Sequence, residues 1–320
     1  MDLNSNAILT LCSHLCVGNN VKPFESKEWS DLAIKLMNAE LQPADIFNIS
    51  RQEFREKLFI SDDYIDRIFR LIERNASLSV ELSQIENMGI NVVTRADKGY
   101  PYKLKKILGN NCPPLFYIAG DLSLLNREFI GYVGSRTISD DDIKFTKKTV
   151  AKTIAHNFGV ISGGAKGVDS VSTQQAIEIG APVVEYISDS MIKKIKNGAI
   201  TKAIRDKRMI LLSVTKPDAG FNVGMAMMRN KYIYAQSSGT IVVKAEKNKG
   251  GTWSGAVENL RHQWCKELCW NNNYSGNKAL IEKGAIPIDE KWDGDINSIK
   301  FTEKKLENEQ LSLFDLLGDI

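Results

Sequence analysis

The chain has 320 residues, 43% of them hydrophobic and 25% charged, with a formal net charge of +3. That is the balance of a soluble globular protein with apolar material for a sizeable core, and it excludes a uniformly basic surface, so any anion-binding patch must be local. No apolar run of about 18 residues offers a membrane span, MDLNSNAILTLCSHLC lacks the basic stretch that precedes the apolar run of a leader, and five cysteines, an odd number, fit a reduced cytoplasmic chain.

Residues 1–90 read as helices. Ala7, Ile8, Leu11 and Leu15 recur at helical spacing, as do Leu32, Ile34 and Leu36, and then Ile65, Ile68, Phe69 and Ile72. Ser61, followed by Asp62 and Asp63, is the expected N-cap of a helix over 64–74. Cys12 and Cys16 are four apart, as are Cys265 and Cys269, with His14 and His262 nearby. The spacing is not the C-x2-C of zinc sites, and the expectation is small side chains on buried faces with no metal.

From residue 91 the texture changes. INVVT is a short β-branched run, and the double proline of NNCPPLFYIAG sets a turn before a strand. Strands and helices then alternate: strand EFIGYVG, helix 140–158, strand GVIS, helix 168–179, strand PVVEYIS, a basic helix, strand MILLSVT, strand IVVKA and helix 252–266. Strands apolar on both faces, alternating with helices, predict an α/β fold with a mostly parallel, doubly wound sheet covered on both sides. The expected organisation is a helical domain over 1–90, the α/β domain over 91–290, and a flexible, charged tail over 291–320.

Ligands of such sheets sit beyond the carboxyl ends of the strands, and three stations fall there. Gly134-Ser135-Arg136 follows a strand: the glycine permits a tight turn, the hydroxyl and guanidinium suit a phosphate, and the next helix N-terminus adds N–H donors. Ser162-Gly163-Gly164-Ala165-Lys166-Gly167-Val168-Asp169 also joins a strand to a helix, and its glycines are expected to present successive N–H groups to an anion. It is neither a Walker A loop nor G-x-G-x-x-G. The third, FNVGMAMMRNK, sets Phe221 ahead of Arg229, Asn230 and Lys231, an aromatic beside cations, which stacks a base while neutralising its backbone.

These stations carry a resemblance. Tyr100-Pro101-x-x-Leu104, Pro113-Pro114-Leu115-Phe116-Tyr117, Gly120 and Val133-Gly134-Ser135-Arg136 are similar to the DNA-processing protein A (DprA/Smf) family. So are Ser162-Gly163-x-Ala165-x-Gly167-Val168-Asp169, Phe221 with Arg229-Asn230-Lys231, and Gly276-Asn277-x-x-Leu280-Ile281-x-x-Gly284-Ala285, in order, over about residues 95–287. The resemblance implies an extended Rossmann fold behind a sterile-alpha-motif-like (SAM-like) helical domain. It implies a homodimer that binds single-stranded DNA and loads a RecA-type recombinase, with no cofactor. Carried over by motif, the DNA groove is lined by Gly134, Ser135, Arg136, Ser162, Gly163, Gly164, Lys166, Gly167, Phe221, Arg229, Asn230 and Lys231.

The chain departs from the family in places. Lys166 stands where arginine is usual, which keeps the charge and loses the bidentate fork. Lys244 replaces an acidic residue, KNKGGTWSGA a serine- and glycine-rich segment, and no tyrosine-proline element follows Ser188. The pathway therefore stays open between transformation, recombination and a specialised role in phage defence or a toxin–antitoxin pair.

Near the end, Gln310-Leu311-Ser312-Leu313-Phe314 resembles the bacterial sliding-clamp-binding pentapeptide. Leu313 and Phe314 are the expected anchors, and Gln310 the orienting amide. The competing reading is an amphipathic helix of Leu311, Phe314 and Leu317 packed on the chain itself.

The alternative function is enzymatic. Gly250-Gly251-Thr252 with Glu258 loosely echoes the P-G-G-x-G-T-x-x-E motif of cytokinin-activating, lysine-decarboxylase-like Rossmann proteins, which cleave nucleoside monophosphates. Asp169 and Glu258 are its candidate acid and base, and a small-nucleotide sensor is a third option. Without a metal box, G-x-S-x-G or a local Cys/His nucleophile motif, the expectation is a binding protein rather than an enzyme.

Overall fold

The computed structural model describes residues 2–17 and 21–299. The clamp-like peptide 310–314 lies outside the described residues. The chain divides into two compact units: Met1–Ile118 with Val214–Pro217, and Ala119–Ser213 with the described part of Asp218–Lys305.

The first unit is mainly helical, with helices Leu3–Cys12, Ser26–Asn38, Arg51–Glu56, Asp62–Glu73, Asn75–Asn87 and Tyr102–Leu108. Its core gathers Ile8, Leu11, Leu15, Leu32, Leu36, Phe54, Ile65 and Ile68, each almost wholly buried. Ser61 occupies the N-cap of Asp62–Glu73, but its side chain makes no capping hydrogen bond, and the acidic first turn answers the helix dipole instead. Ser50, by contrast, forms a complete capping box with Glu53. The Arg74 guanidinium donates to the carbonyls of Thr10, Ser13 and Leu15, tying the end of one helix to the loop after another. Strands β1 (Asn91–Thr94) and β2 (Leu115–Ala119) pair antiparallel.

The second unit is the α/β part. Its strands are β3 (Phe129–Val133), β4 (Gly159–Ser162), β5 (Val183–Tyr186), β6 (Met209–Ser213), β7 (Gly239–Val242), β8 (Lys266–Trp270) and β9 (Ile286–Ile288). They lie in the order β6-β5-β4-β3-β7-β8-β9, and each neighbouring pair is parallel. Sequence order runs outward in one direction from β3 through β6 and in the other from β7 through β9. The boundary between β3 and β7 is thus a topological switch point, where ligands of doubly wound sheets bind. Every residue of β3 to β7 is buried, as their apolar runs require.

Two strands escaped the sequence reading. The helix expected over 252–266 is Gly250–His262, ended by Gln263 with φ 55°. Lys266 then opens β8, and helix Ser275–Glu282 leads to β9. The charges of KELCW hide a strand whose Glu267 is only 3% exposed. One Glu267 carboxyl oxygen accepts from the Asn259 side chain; the other, Oε1, has no hydrogen-bond partner. Burial pushes this carboxyl well above the ordinary glutamate range, with the Asn259 bond pulling the other way. Further along, Ile296 is buried, and the Lys266 ammonium donates to its carbonyl at 2.8 Å.

None of the cysteines is disulfide-bonded, and Cys12, Cys112, Cys265 and Cys269 are buried. Among the described residues no three His, Cys, Asp or Glu side chains gather as a metal site requires, and no helix is long and apolar enough to cross a membrane.

Candidate nucleic-acid interface

The loops after β3 and β4 meet at the switch point, and their glycines explain how. The Ser135 N–H donates to the Lys244 carbonyl just past β7, and the Val168 N–H donates to the Ser135 carbonyl. Gly167 has φ +80°, and a Cβ there would stand 2.2 Å from the Ser135 oxygen, so only glycine lets the two loops touch.

Two N–H groups of the glycine-rich loop are turned inward. Asp169, from the first turn of helix Val168–Ile179, turns back and accepts from Gly163 N at 3.2 Å and Ala165 N at 3.3 Å through one carboxyl oxygen. The helix after Arg136 is likewise satisfied from within. Ser139 and Asp142 form a capping box, and Asp140, Asp141 and Asp142 fill the first turn of Asp140–Ala155. Both helix ends expected to cradle phosphate are occupied by the chain's own carboxylates. Capture of a polyanion falls to side chains.

Arg229 sits deeper than its motif suggested. On helix Val223–Gln236 it is only 6% exposed, with Nη1 4.0 Å from Asp169 Oδ2. Its guanidinium lies where a Gly163 side chain would be: a Cβ there would fall 1.3 Å from Nη1. Burial raises the Asp169 carboxyl above its usual range although the Arg229 charge and two N–H donors pull it down. Burial likewise lowers Arg229 while Asp169 and Glu185 pull it up. For both groups the lost hydration outweighs the mutual attraction, as is common for buried ion pairs.

Around this buried pair opens a cleft of about 460 Å³. Gly134, Ser135, Arg136, Phe221, Arg229 and Asn230 line it, bringing together residues of the first and third stations. The exposed Arg136 guanidinium lies 4.8 Å from the centroid of the Phe221 ring, and Phe221 is 52% exposed. A cation held over an aromatic at a cleft mouth offers a phosphate partner beside a stacking face. The Asn230 amide donates to the Gly251 carbonyl at 3.2 Å and ties this helix to the first turn of helix Gly250–His262.

Other predicted residues lie elsewhere. The Ser162 hydroxyl is buried and donates to the Tyr132 carbonyl at 3.0 Å, so it braces β4 against β3. Gly163 and Gly167 form the packed floor. Lys166 is exposed and does not line the cleft. Lys231 is half-buried, with its ammonium 5.5 Å from the Tyr232 ring centroid, and is also outside the lining. Gly164 belongs to a second cavity, of about 780 Å³, which shares Phe221 as part of its wall.

Lys244 and Asp169 also line the cleft, although the expected groove left them out. Lys244 contributes an ammonium 3.4 Å from Asp142 Oδ2 and 4.8 Å from the centroid of the Tyr274 ring, whose hydroxyl donates to Asp142 at 2.9 Å. The sequence marked Lys244 only as a departure, since its partner is 102 residues away. Asp169 was flagged as an acid/base candidate; it lines the cleft but is engaged by the loop N–H groups and Arg229, and Glu258, its supposed partner, is exposed and outside the lining.

The family model for DNA recombination-mediator protein A matches residues 91–296. The DNA processing protein DprA of Bacillus subtilis (strain 168) is 27% identical over 213 residues, 65% of this chain and 71% of that protein. The Streptococcus pneumoniae protein of the same name is 27% identical over 128 residues, 40% of this chain and 42% of its own. In structure, DNA processing protein A from Streptococcus pneumoniae superposes with a TM-score of 0.65 at 19% identity, covering 88% of this chain and all of that one. DNA processing protein A from Helicobacter pylori, described for its single-stranded DNA binding mode, gives 0.50 at 22% identity over 62% of this chain and 90% of its own. At these identities the two structures speak to the fold, a Rossmann-like α/β domain.

Proposed function

Because the chain belongs to the DNA recombination-mediator protein A family, we propose that it is a single-stranded DNA-binding protein of DNA processing and recombination whose cleft at the β3/β7 switch point grips the strand. The observation that carries this reading is the exposed Arg136 guanidinium over the half-exposed Phe221 ring, with Arg229 and Asn230 in the same cleft. The H. pylori relative, named for its single-stranded DNA binding, supports it.

Arg136 neutralises a phosphate and Phe221 stacks a base, two contacts that accept any sequence and make affinity salt-dependent. Since Asp169 takes the Gly163 and Ala165 N–H groups, the electrostatic part falls mainly to the cations. In a salt-titrated gel shift, single strands are expected to bind better than duplex. Arg136→Ala should weaken all sequences alike and flatten the log–log salt slope by about 0.7, one phosphate contact. Affinity indifferent to salt, or a preference for duplex, overturns the reading.

Finer parts of the proposal rest on the family resemblance and the tail motif: action in the cytoplasm as a homodimer, loading of a RecA-type recombinase, and a place in transformation, recombination or phage defence. Gln310, Leu311, Leu313 and Phe314 are proposed to bind the sliding clamp. Clamp pull-down is expected to be lost in Phe314→Ala; capture that survives removal of residues 308–320 ends that part of the proposal.

A further inference from the structure

We propose that the second cavity, of about 780 Å³, reads a guanine base. Its volume suits a nucleoside-sized ligand. It adjoins the phosphate-gripping cleft, because Phe221 lines both.

The wall carries buried polar atoms without hydrogen-bond partners. Glu185, on β5, is 2% exposed, and its Oε2 has no hydrogen-bond partner, although it forms an ion pair with Lys194 Nζ at 3.5 Å. Thr173, 6% exposed, has a hydroxyl with no partner. Buried polar atoms without partners are costly, and in a cavity wall they mark where a ligand's groups belong. Lys194 is itself fixed, donating to the Gly164 carbonyl at 2.5 Å. The cavity thus offers an acceptor-only carboxylate next to a donor-only ammonium.

Guanine matches that pair. Its Watson–Crick edge sets two adjacent donors, N1–H and the N2 amine, beside one acceptor, O6. The donors face Glu185, and O6 faces Lys194. Thymine brings a single N–H between two acceptors. Adenine and cytosine each bring one amine next to a ring acceptor, which a carboxylate repels. Phe221 at the rim stacks the base as it enters.

The proposal rests on the DNA-binding reading only for the source of the base, a bound strand rather than a free nucleotide. The test uses the full chain and oligo-dT strands carrying one central dG, dA, dC or deoxyinosine, with binding followed by fluorescence anisotropy. The dG strand is expected to bind about tenfold tighter than the dA strand, the scale of one good base-edge contact. Deoxyinosine, which lacks the N2 amine, should lose most of that gain on the unaltered protein. Glu185→Gln should bring the dG/dA ratio close to one, a ratio that cancels any general loss of affinity. Equal binding of dG, dA and dC overturns the proposal, as does a preference for dC or inosine binding as well as dG. If no strand binds, calorimetry with free dGMP against dAMP decides. Selective dGMP binding keeps the guanine pocket and sinks the DNA reading, while equal or absent binding sinks the pocket.

Discussion

Arg229→Ala is expected to destabilise the protein by about 3–5 kcal/mol, the usual cost of removing one partner of a buried ion pair. The sequence places Arg229 in a basic motif that resembles a DNA contact; the structure makes it first a structural residue. With the guanidinium gone, Asp169 keeps a carboxylate in a wall from which water is excluded, answered by only the Gly163 and Ala165 N–H groups. Gly163→Ala should act in the same direction, because its methyl would take the place of Nη1. Urea denaturation measures both. A variant that unfolds at the parent's midpoint and slope yet fails to bind DNA would show instead that Arg229 serves the ligand alone.

Glu267→Gln is expected to stabilise the protein, and more so as pH rises. Burial raises the native carboxyl well above its ordinary range, so folding takes up a proton at any pH between the unfolded and the folded value. In that window the unfolded chain binds fewer protons, and stability falls by about 1.4 kcal/mol per pH unit. The contribution of Glu267 is fully present below the unfolded value and is lost as pH climbs through the folded one. Glutamine does not titrate and keeps an oxygen for the Asn259 amide. Denaturation curves of parent and variant should diverge as pH rises from about pH 5. Parallel curves above that pH would contradict the burial argument.

Much of the fold was legible because burial on both faces writes itself into composition. FIGYV, GVIS, VVEY and MILLS could hardly be anything but central strands, and the turns between them carry glycine where loops touch. KELCW and IPI were hidden by the charges of Lys266 and Glu267 and by Pro287. The burial of KELCW comes from tertiary packing, such as its pairing with β7 and the Asn259 bond to Glu267, which no local pattern reports. The site divides along the same line. Arg136 and Phe221 were readable as an exposed cation and aromatic, and the structure stacks them. The fates of Ser162 and Arg229 depend on partners distant in sequence: the Tyr132 carbonyl 30 residues away for Ser162, and Gly163 for Arg229. The glycine-rich loop looked open to an anion because spacing cannot say which acceptor its N–H groups will choose; Asp169, already inside the motif, was that acceptor.

The lacing of Ser135 to Lys244 and Val168, and of Asn230 to Gly251, has a thermodynamic consequence. The cleft is preorganised by the protein's own hydrogen bonds, so under the proposed function a strand would order little beyond its own nucleotides and two exposed side chains, Arg136 and Phe221. Capture of that kind would need no slow rearrangement, and variants at this cleft are expected to differ in the lifetime of the complex rather than in its rate of formation.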